Sequence, residues 1–260
     1  TYIFVPARAP KGKVAQLMIF GAAVITVDGS YEDTFALSKE AIDRWGWYNR
    51  NAAINPYLSE GKKTVTLEIM EQLHWQVPDY IALSVGDGCT IAGAWKGLKD
   101  LCAAGFIDRL PRLISVQAEG CCPLNRAIQT GEPWRPMEEN TLADSIAVGV
   151  PRNADKALAA IRESRGLAVT VSDEEILDAM RLLGRTQGIF GEPAGVTGTA
   201  GIKKALELGL IDPDSTVVSV VTGNGLKDVQ SGIRASGEPM LVPPDMDALL
   251  SAFAQRRIAP

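Results

Sequence analysis

The chain has 260 residues, 46% of them apolar and 22% charged, with a formal net charge of −5 at pH 7. That length is enough to bury a substantial core, and the composition is that of an ordinary globular protein. The acidic balance, without any basic run, argues against nucleic acid or an anionic membrane as a partner, and no apolar stretch reaches the ~18 residues of a membrane span.

Residues 2–5 form a short β-rich run that stops at Pro6. The chain opens directly on this strand, without an initiator Met, a lead-in or the cationic flank of a signal peptide. The expectation is therefore an incomplete chain whose first strand belongs to a larger sheet. Val14, Leu17, Met18 and Gly21 recur at helical spacing, and residues 24–27 read as a strand. Residues 31–44 form an amphipathic helix with acids in its first turn. Residues 45–61 have turn chemistry without clean periodicity, which suggests a crossing between two lobes, with Trp45 and Trp47 packing the boundary. The division predicted is 1–50 as a remnant of a small mobile domain and 51–260 as a large domain.

A helix over 63–73 follows, then a strand from Tyr80, a glycine-rich loop, and a helix to about Ala104. Residues 112–117 form a buried type of strand. Residues 120–146 contain Pro123, Pro133 and Pro136 and lack periodicity, so a surface excursion near a site is expected. Beyond it come a helix over 154–165 and a strand over 167–171. Ser172 to Glu175 read as a capping box for a helix over 176–186. A helix over 196–208, a strand over 217–221 and a terminal helix over 245–256 complete the chain. Strands alternating with helices predict an α/β protein with a largely parallel sheet.

The chemistry concentrates at two breaks. The run YIALSV (80–85) enters GDGCTIAG, with Gly86, Gly88 and Gly93, just before a helix. Such a turn leaves backbone N–H groups and a helix N-terminus pointing at an anion, and small residues let the anion approach. A plain tight turn remains the alternative on these residues alone. The spacing is wrong for a dinucleotide fingerprint, since Ile91 stands three after Gly88, and no Gly-Lys-Ser/Thr follows for a Walker loop. The second break is TGNG at 222–225, where a Thr222 hydroxyl at the carboxyl end of a strand can hydrogen-bond a neutral ring nitrogen. A cap of the following segment is the competing role.

Other candidates are weaker. His74, the single histidine, sits at a helix end and suits a capping or half-buried role. No G-x-S-x-G elbow supports a hydrolase, and one histidine with scattered cysteines makes no metal site. Cys89, Cys102, Cys121 and Cys122 lack C-x-x-C spacing, and adjacent Cys121 and Cys122 do not bridge readily. Reduced thiols and a cytoplasmic setting follow.

Taken together, LSVGDGCTIAGAWKG (83–97), DEEI (173–176), GIFGEPAG (188–195) and VVSVVTGNGLKD (217–228) resemble the threonine synthase branch of fold-type II pyridoxal-phosphate enzymes, the tryptophan synthase beta-like superfamily. Residues 2–29 resemble its small-domain segment, and NPYLSEGKKT (55–64) its lobe crossing. The resemblance implies a two-domain α/β fold and pyridoxal 5′-phosphate as cofactor. It places the phosphate on the amides of Gly86, Asp87, Gly88, Cys89 and Thr90, and the pyridine nitrogen on Thr222. The implied reaction is a lyase step converting O-phosphohomoserine and water to threonine and phosphate, in a protein expected to form homodimers.

Two departures matter. The Schiff-base lysine of the family is expected upstream of Thr1, because neither Lys63 nor Lys96 stands in its motif, so no catalytic residue is assigned here. The chain alone is then expected to be inactive. The Asn, Ser and Arg of the family's crossing are replaced by Ala52, Ala53 and Leu58, and losing an Arg removes a bidentate phosphate contact. A serine/threonine dehydratase-like or β-replacement enzyme acting on a non-phosphorylated amino acid, or a non-catalytic scaffold, is the alternative.

Overall fold

A computed structural model describes residues 1–256. It contains two separate parallel sheets. In the first, β1 (Tyr2–Pro6) pairs with β2 (Ala23–Val27), Tyr2 beside Ala23 and Pro6 beside Val27. A parallel pair needs a crossover, which α1 (Lys11–Ile19) supplies. α2 (Tyr31–Trp45) begins on a capping box: Ser30 Oγ accepts from the Asp33 N–H, and the Asp33 carboxylate accepts from the Ser30 N–H. It ends on Gly46 in the left-handed region. Trp47 then stacks flat on Tyr2 with ring centroids 4.2 Å apart, and Trp45 stacks on Trp47 at 4.9 Å.

The crossing segment contains an element that periodicity did not reveal. α3 (Pro56–Lys62) starts from Asn55, whose side chain accepts the Tyr57 N–H, with Pro56 in the first turn. Seven residues make barely two turns, too few for an apolar stripe to stand out. α4 (Thr64–Gln72) follows almost at once. His74 lies beyond it, exposed and with φ 50°, rather than half-buried.

The second sheet has the order β5-β4-β3-β6, all parallel. β3 (Tyr80–Ser84) is buried along its whole length between β4 (Arg112–Ala118) and β6 (Val217–Ser219), and β5 (Leu167–Val171) lies outside β4. Burial on both faces explains its nearly unbroken apolar sequence. Alternation assigns the faces: Ile81 and Leu83 join Ile91, Leu98, Leu113 and Ile161, whereas Ala82 joins Ile114, Val116, Val169, Ile176 and Val196. The first face is covered by α5 (Cys89–Ala103), α6 (Pro123–Thr130) and α7 (Ala154–Glu163). The second is covered by α8 (Asp173–Gln187) and α9 (Pro193–Glu207), with α8 opened by the expected Ser172–Glu175 box. α10 (Val229–Ser236), which the sequence reading left out, and α11 (Met246–Arg256) follow.

Residues 120–146 meet the expected surface excursion only in part. Residues 131–140 are irregular and mostly exposed, and Ser145 and Ile146 border the cavity described below, but much of the rest of the span is built into the core. α6 buries Pro123, Leu124, Asn125 and Ala127, and Ala143 and Ile146 are buried as well. Leu124, Ala127 and Ile128 recur at helical spacing over only eight residues, and Asn125 makes the inward face partly polar. The Asn125 amide donates to Ser115 O at 3.0 Å and Val169 O at 2.8 Å, while its Oδ1 accepts from Ser115 Oγ at 2.6 Å. These bonds satisfy a buried carboxamide between β4 and β5. All four cysteines are free. No helix among the described residues is long and apolar enough to cross a membrane.

Candidate functional site

The last ladder bond of β3 runs from the Val85 N–H to Val116 O at 2.9 Å. The chain then turns sharply into α5, and two glycines make the turn feasible. Gly88 takes φ 83°, and a Cβ on it would lie 2.7 Å from Ala157 Cβ; a Cβ on Gly86 would lie 2.9 Å from Ile146 Cα. Side chains at either position would displace neighbouring backbone or the α7 packing. The carbonyls of this turn are already engaged. Asn153 N–H donates to Asp87 O at 3.0 Å, and the Ala92 N–H donates to Gly88 O at 3.1 Å. The backbone N–H groups of residues 86–91, by contrast, donate to no acceptor among the described residues. Acceptors tied behind and donors left free in front, at the positive end of a 15-residue helix, make an anion cradle.

The second break closes over the first. Val220 N–H donates to Ala82 O at 3.2 Å, which carries the chain along β3 to Thr222. Residues 223–225 are then clasped by residues 190–192. Glu192 N–H donates to Gly223 O at 2.9 Å, Gly225 N–H to Phe190 O at 2.9 Å, and Gly191 forms an antiparallel bridge with Asn224. A Cβ on Gly223 would stand 2.0 Å from Glu192 Oε1. The GIFGEPAG and TGNG motifs are thus two halves of one clasp.

Gly86, Asp87, Gly88, Cys89, Thr90 and Thr222 all border one cavity of about 280 Å³, together with Tyr31, Ala52, Lys62 and Ala194. A larger cavity of about 740 Å³ opens between β1, α2 and Trp47, but none of these six residues borders it.

The charge inside the turn is neutralised from outside. Asp87 Oδ1 accepts from the Arg152 N–H at 3.0 Å and faces its guanidinium at 3.5 Å, and Tyr31 donates its hydroxyl to Oδ2 at 3.4 Å. Arg152 also pairs with Glu32 at 2.5 Å and lies 3.7 Å from the centroid of Phe35. Burial, and then the Asp87 charge, push the Tyr31 hydroxyl well above its ordinary range, so it stays protonated and donates. Burial and Asp87 likewise push the Cys89 thiol up, which leaves it a small neutral side chain rather than a nucleophile. Beside the cavity, Lys13 of α1 reaches Glu192 at 3.0 Å, Ser145 Oγ at 2.5 Å and Asp144 at 3.8 Å. Desolvation raises the Asp144 carboxyl despite Lys13 and Arg8.

The sequence reading missed Tyr31, Lys62 and Ala194 as neighbours of the cavity. Ala194 and Lys62 lay inside motifs already singled out, although nothing in either motif marked them as lining a cavity; Tyr31 gave no local signal, because it belongs to a separate helix. Lys63 and Lys96 do not border the cavity and instead share Glu60 and Asp100.

A parallel α/β chain with free backbone donors at the turn after its central strand, clasped by a second glycine turn, has the architecture of an α/β protein whose site lies at the carboxyl edge of its sheet. The chain belongs to the pyridoxal-phosphate dependent enzyme family, whose model matches residues 1–223. It is 44% identical over 242 residues to a threonine synthase of Methanocaldococcus jannaschii, covering 92% of this chain and 59% of that protein. It is 43% identical over 254 residues to a threonine synthase of Methanosarcina acetivorans, covering 96% and 62%. The chain therefore spans about three-fifths of the length of these curated relatives. Among solved structures it resembles maize serine racemase, with a TM-score of 0.73 at 22% identity over 90% of this chain and 68% of that one. The processed threonine deaminase isoform 2 of Solanum lycopersicum gives 0.72 at 19% identity over 90% and 65%. These likenesses show the fold, that of the fold-type II pyridoxal-phosphate enzymes.

Proposed function

We propose that this chain carries the cofactor cradle of a threonine synthase, a lyase that turns O-phosphohomoserine and water into threonine and phosphate. One observation carries the reading: the unmatched amides of residues 86–90 and Thr222 border the same small cavity. Under it, Gly86, Asp87, Gly88, Cys89 and Thr90 hold the 5′-phosphate of pyridoxal phosphate through their N–H groups, and Thr222 meets the ring nitrogen. The fit is supported by the glycines, because a Cβ at 86 or 88 would collide with the turn's supports. It is supported too by the neutrality of Thr222, whose hydroxyl suits an unprotonated nitrogen where a carboxylate would not. When bound, this cofactor supplies an electron sink for a carbanion at the amino-acid α-carbon. The chain's own contribution is to orient the ring between cradle and clasp, with Asp87 kept off the phosphate by Arg152 and Tyr31.

The division at about residue 50 separates the two sheets and is read as a small domain against a large one. A homodimer is inferred from the family resemblance, and a cytoplasmic setting from the free thiols. A second reading is favoured by one feature: Ala52 borders the cavity and Leu58 stands where the family's crossing has its Arg, so that position offers no charge to a substrate phosphate. A dehydratase-like or β-replacement activity on a non-phosphorylated amino acid fits that crossing. The deciding assay uses the chain within its complete reading frame. Phosphate and threonine release from O-phosphohomoserine is expected. Ketoacid release from threonine or serine, with O-phosphohomoserine inert, would transfer the assignment to the second reading.

A further inference from the structure

We propose that Lys62, the last residue of α3, supplies the positive charge that the glycine cradle lacks and pairs its ammonium with the anion held there. The inference deepens the cofactor reading above and rests on it.

The amides of residues 86–91 offer hydrogen bonds and a helix-end dipole but no full charge, whereas a phosphate ester carries one to two negative charges near neutral pH. Most other cations near the cradle are committed, and Lys227, which pairs with no carboxylate among the described residues, borders the neighbouring cavity beside Asp87 rather than this one. Arg152 is held by Asp87 and Glu32, Lys13 by Glu192 and Asp144, and Lys63 and Lys96 by Glu60 and Asp100. Lys156 is exposed and borders a separate cavity on the outer side of α5 and α7. Lys62 differs from all of these. It borders the cradle cavity, is half-buried, and has neither a carboxylate nor a hydrogen-bond acceptor among the described residues.

Packing explains how it arrives there. α3 rests on the first turns of α5 at Gly93, where an added Cβ would come within 2.7 Å of Lys62 Cβ and 3.1 Å of Ser59 O. Gly93 thus lets the base of the Lys62 side chain lie directly alongside the helix whose N-terminus forms the cradle. The Lys62 charge also acts on the Cys89 thiol, in the sense that favours the thiolate, although burial outweighs it. Leu58, one turn earlier on α3, has no charge to offer. A flexible ammonium beside free amides is a charge-assisted partner for a phosphate and is little use to a neutral ligand.

Equilibrium dialysis of pyridoxine 5′-phosphate, which has no aldehyde to react with a lysine, isolates this contact; pyridoxine itself is the parallel probe without the phosphate. Lys62→Gln is expected to weaken pyridoxine 5′-phosphate about tenfold and to leave pyridoxine unchanged. Lys62→Arg is expected to restore the phosphate ester to within about twofold of the native chain, since it keeps the charge. Unchanged binding of pyridoxine 5′-phosphate by Lys62→Gln would overturn the proposal. So would equal losses for both probes, which would mean that Lys62 only supports the local fold. Failure of the native chain to retain pyridoxine 5′-phosphate would instead sink the cofactor reading, and this inference with it.

Discussion

The two sheets of this chain are held by different forces. β3 has every residue buried, between layers that are largely apolar on both sides. The two-stranded sheet has no buried residue in β1, β2 or α1, and the buried positions of α2 are Thr34, Ser38 and Ala41. What fixes the small sheet against the rest is largely charged: Arg8 with Glu139, Lys13 with Glu192, and Arg152 with Glu32. Apolar burial is non-directional, strong and insensitive to salt, whereas partly exposed ion pairs are weak and screened. The cradle is therefore built on the deeply buried part, and the two-stranded sheet is attached to it largely through side chains.

That contrast can be broken most directly at its strong end. Leu83→Ala removes a fully buried side chain from β3 and is expected to cost about 3–4 kcal/mol of global stability in urea unfolding. A loss below about 1 kcal/mol would mean that the central strand is not the core. At the junction, Arg152→Met leaves Asp87 without its guanidinium while the Arg152 N–H and Tyr31 remain as donors. Its expected cost is about 2 kcal/mol. Hydrogen exchange by mass spectrometry should place the change at residues 1–47 and the loop 86–90, with β4 unaffected. In the native chain, 0.5 M salt, roughly a 4 Å screening length, should likewise speed exchange in β1 and β2 but not in β3.

The smallest effect is expected at Asp144, between Arg8 and Lys13. Its folded pKa is raised by desolvation, so the folded state favours the protonated carboxyl. Stability relative to Asp144→Asn is thus fullest below the unfolded value of about 4 and is lost as pH rises through the raised folded value. Thermal unfolding from pH 4 to 7 should show the Asn variant gaining on the native chain. A gain for the native chain over that range would mean that the ion pairs outweigh desolvation.

Much of the large sheet was legible because its signals are local. The 80–85 run reads as a strand since both of its faces are covered, and Ser172 and Glu175 sit three apart, as a capping box requires. The glycine cradle showed through Gly86 and Gly88, whose freedom the turn uses. Elsewhere the determinants are not local. α3 is too short for a period, α6 shows one over only eight residues and turns Asn125 inward beside it, and α10 is opened by the Asp228 side chain accepting from the Ser231 N–H. Tyr31 and Lys62 reach the cavity because of how α2 and α3 are docked, and no pattern in their own helices records that.

Asp87 serves two masters: its amide belongs to the cradle and its carboxylate to the Tyr31–Arg152–Glu32 link with α2. Tilting the small sheet outward would therefore tug on the same peptide that grips the ligand. A ligand held by that amide would be linked to the seating of α2 through a single residue, with no relay between them.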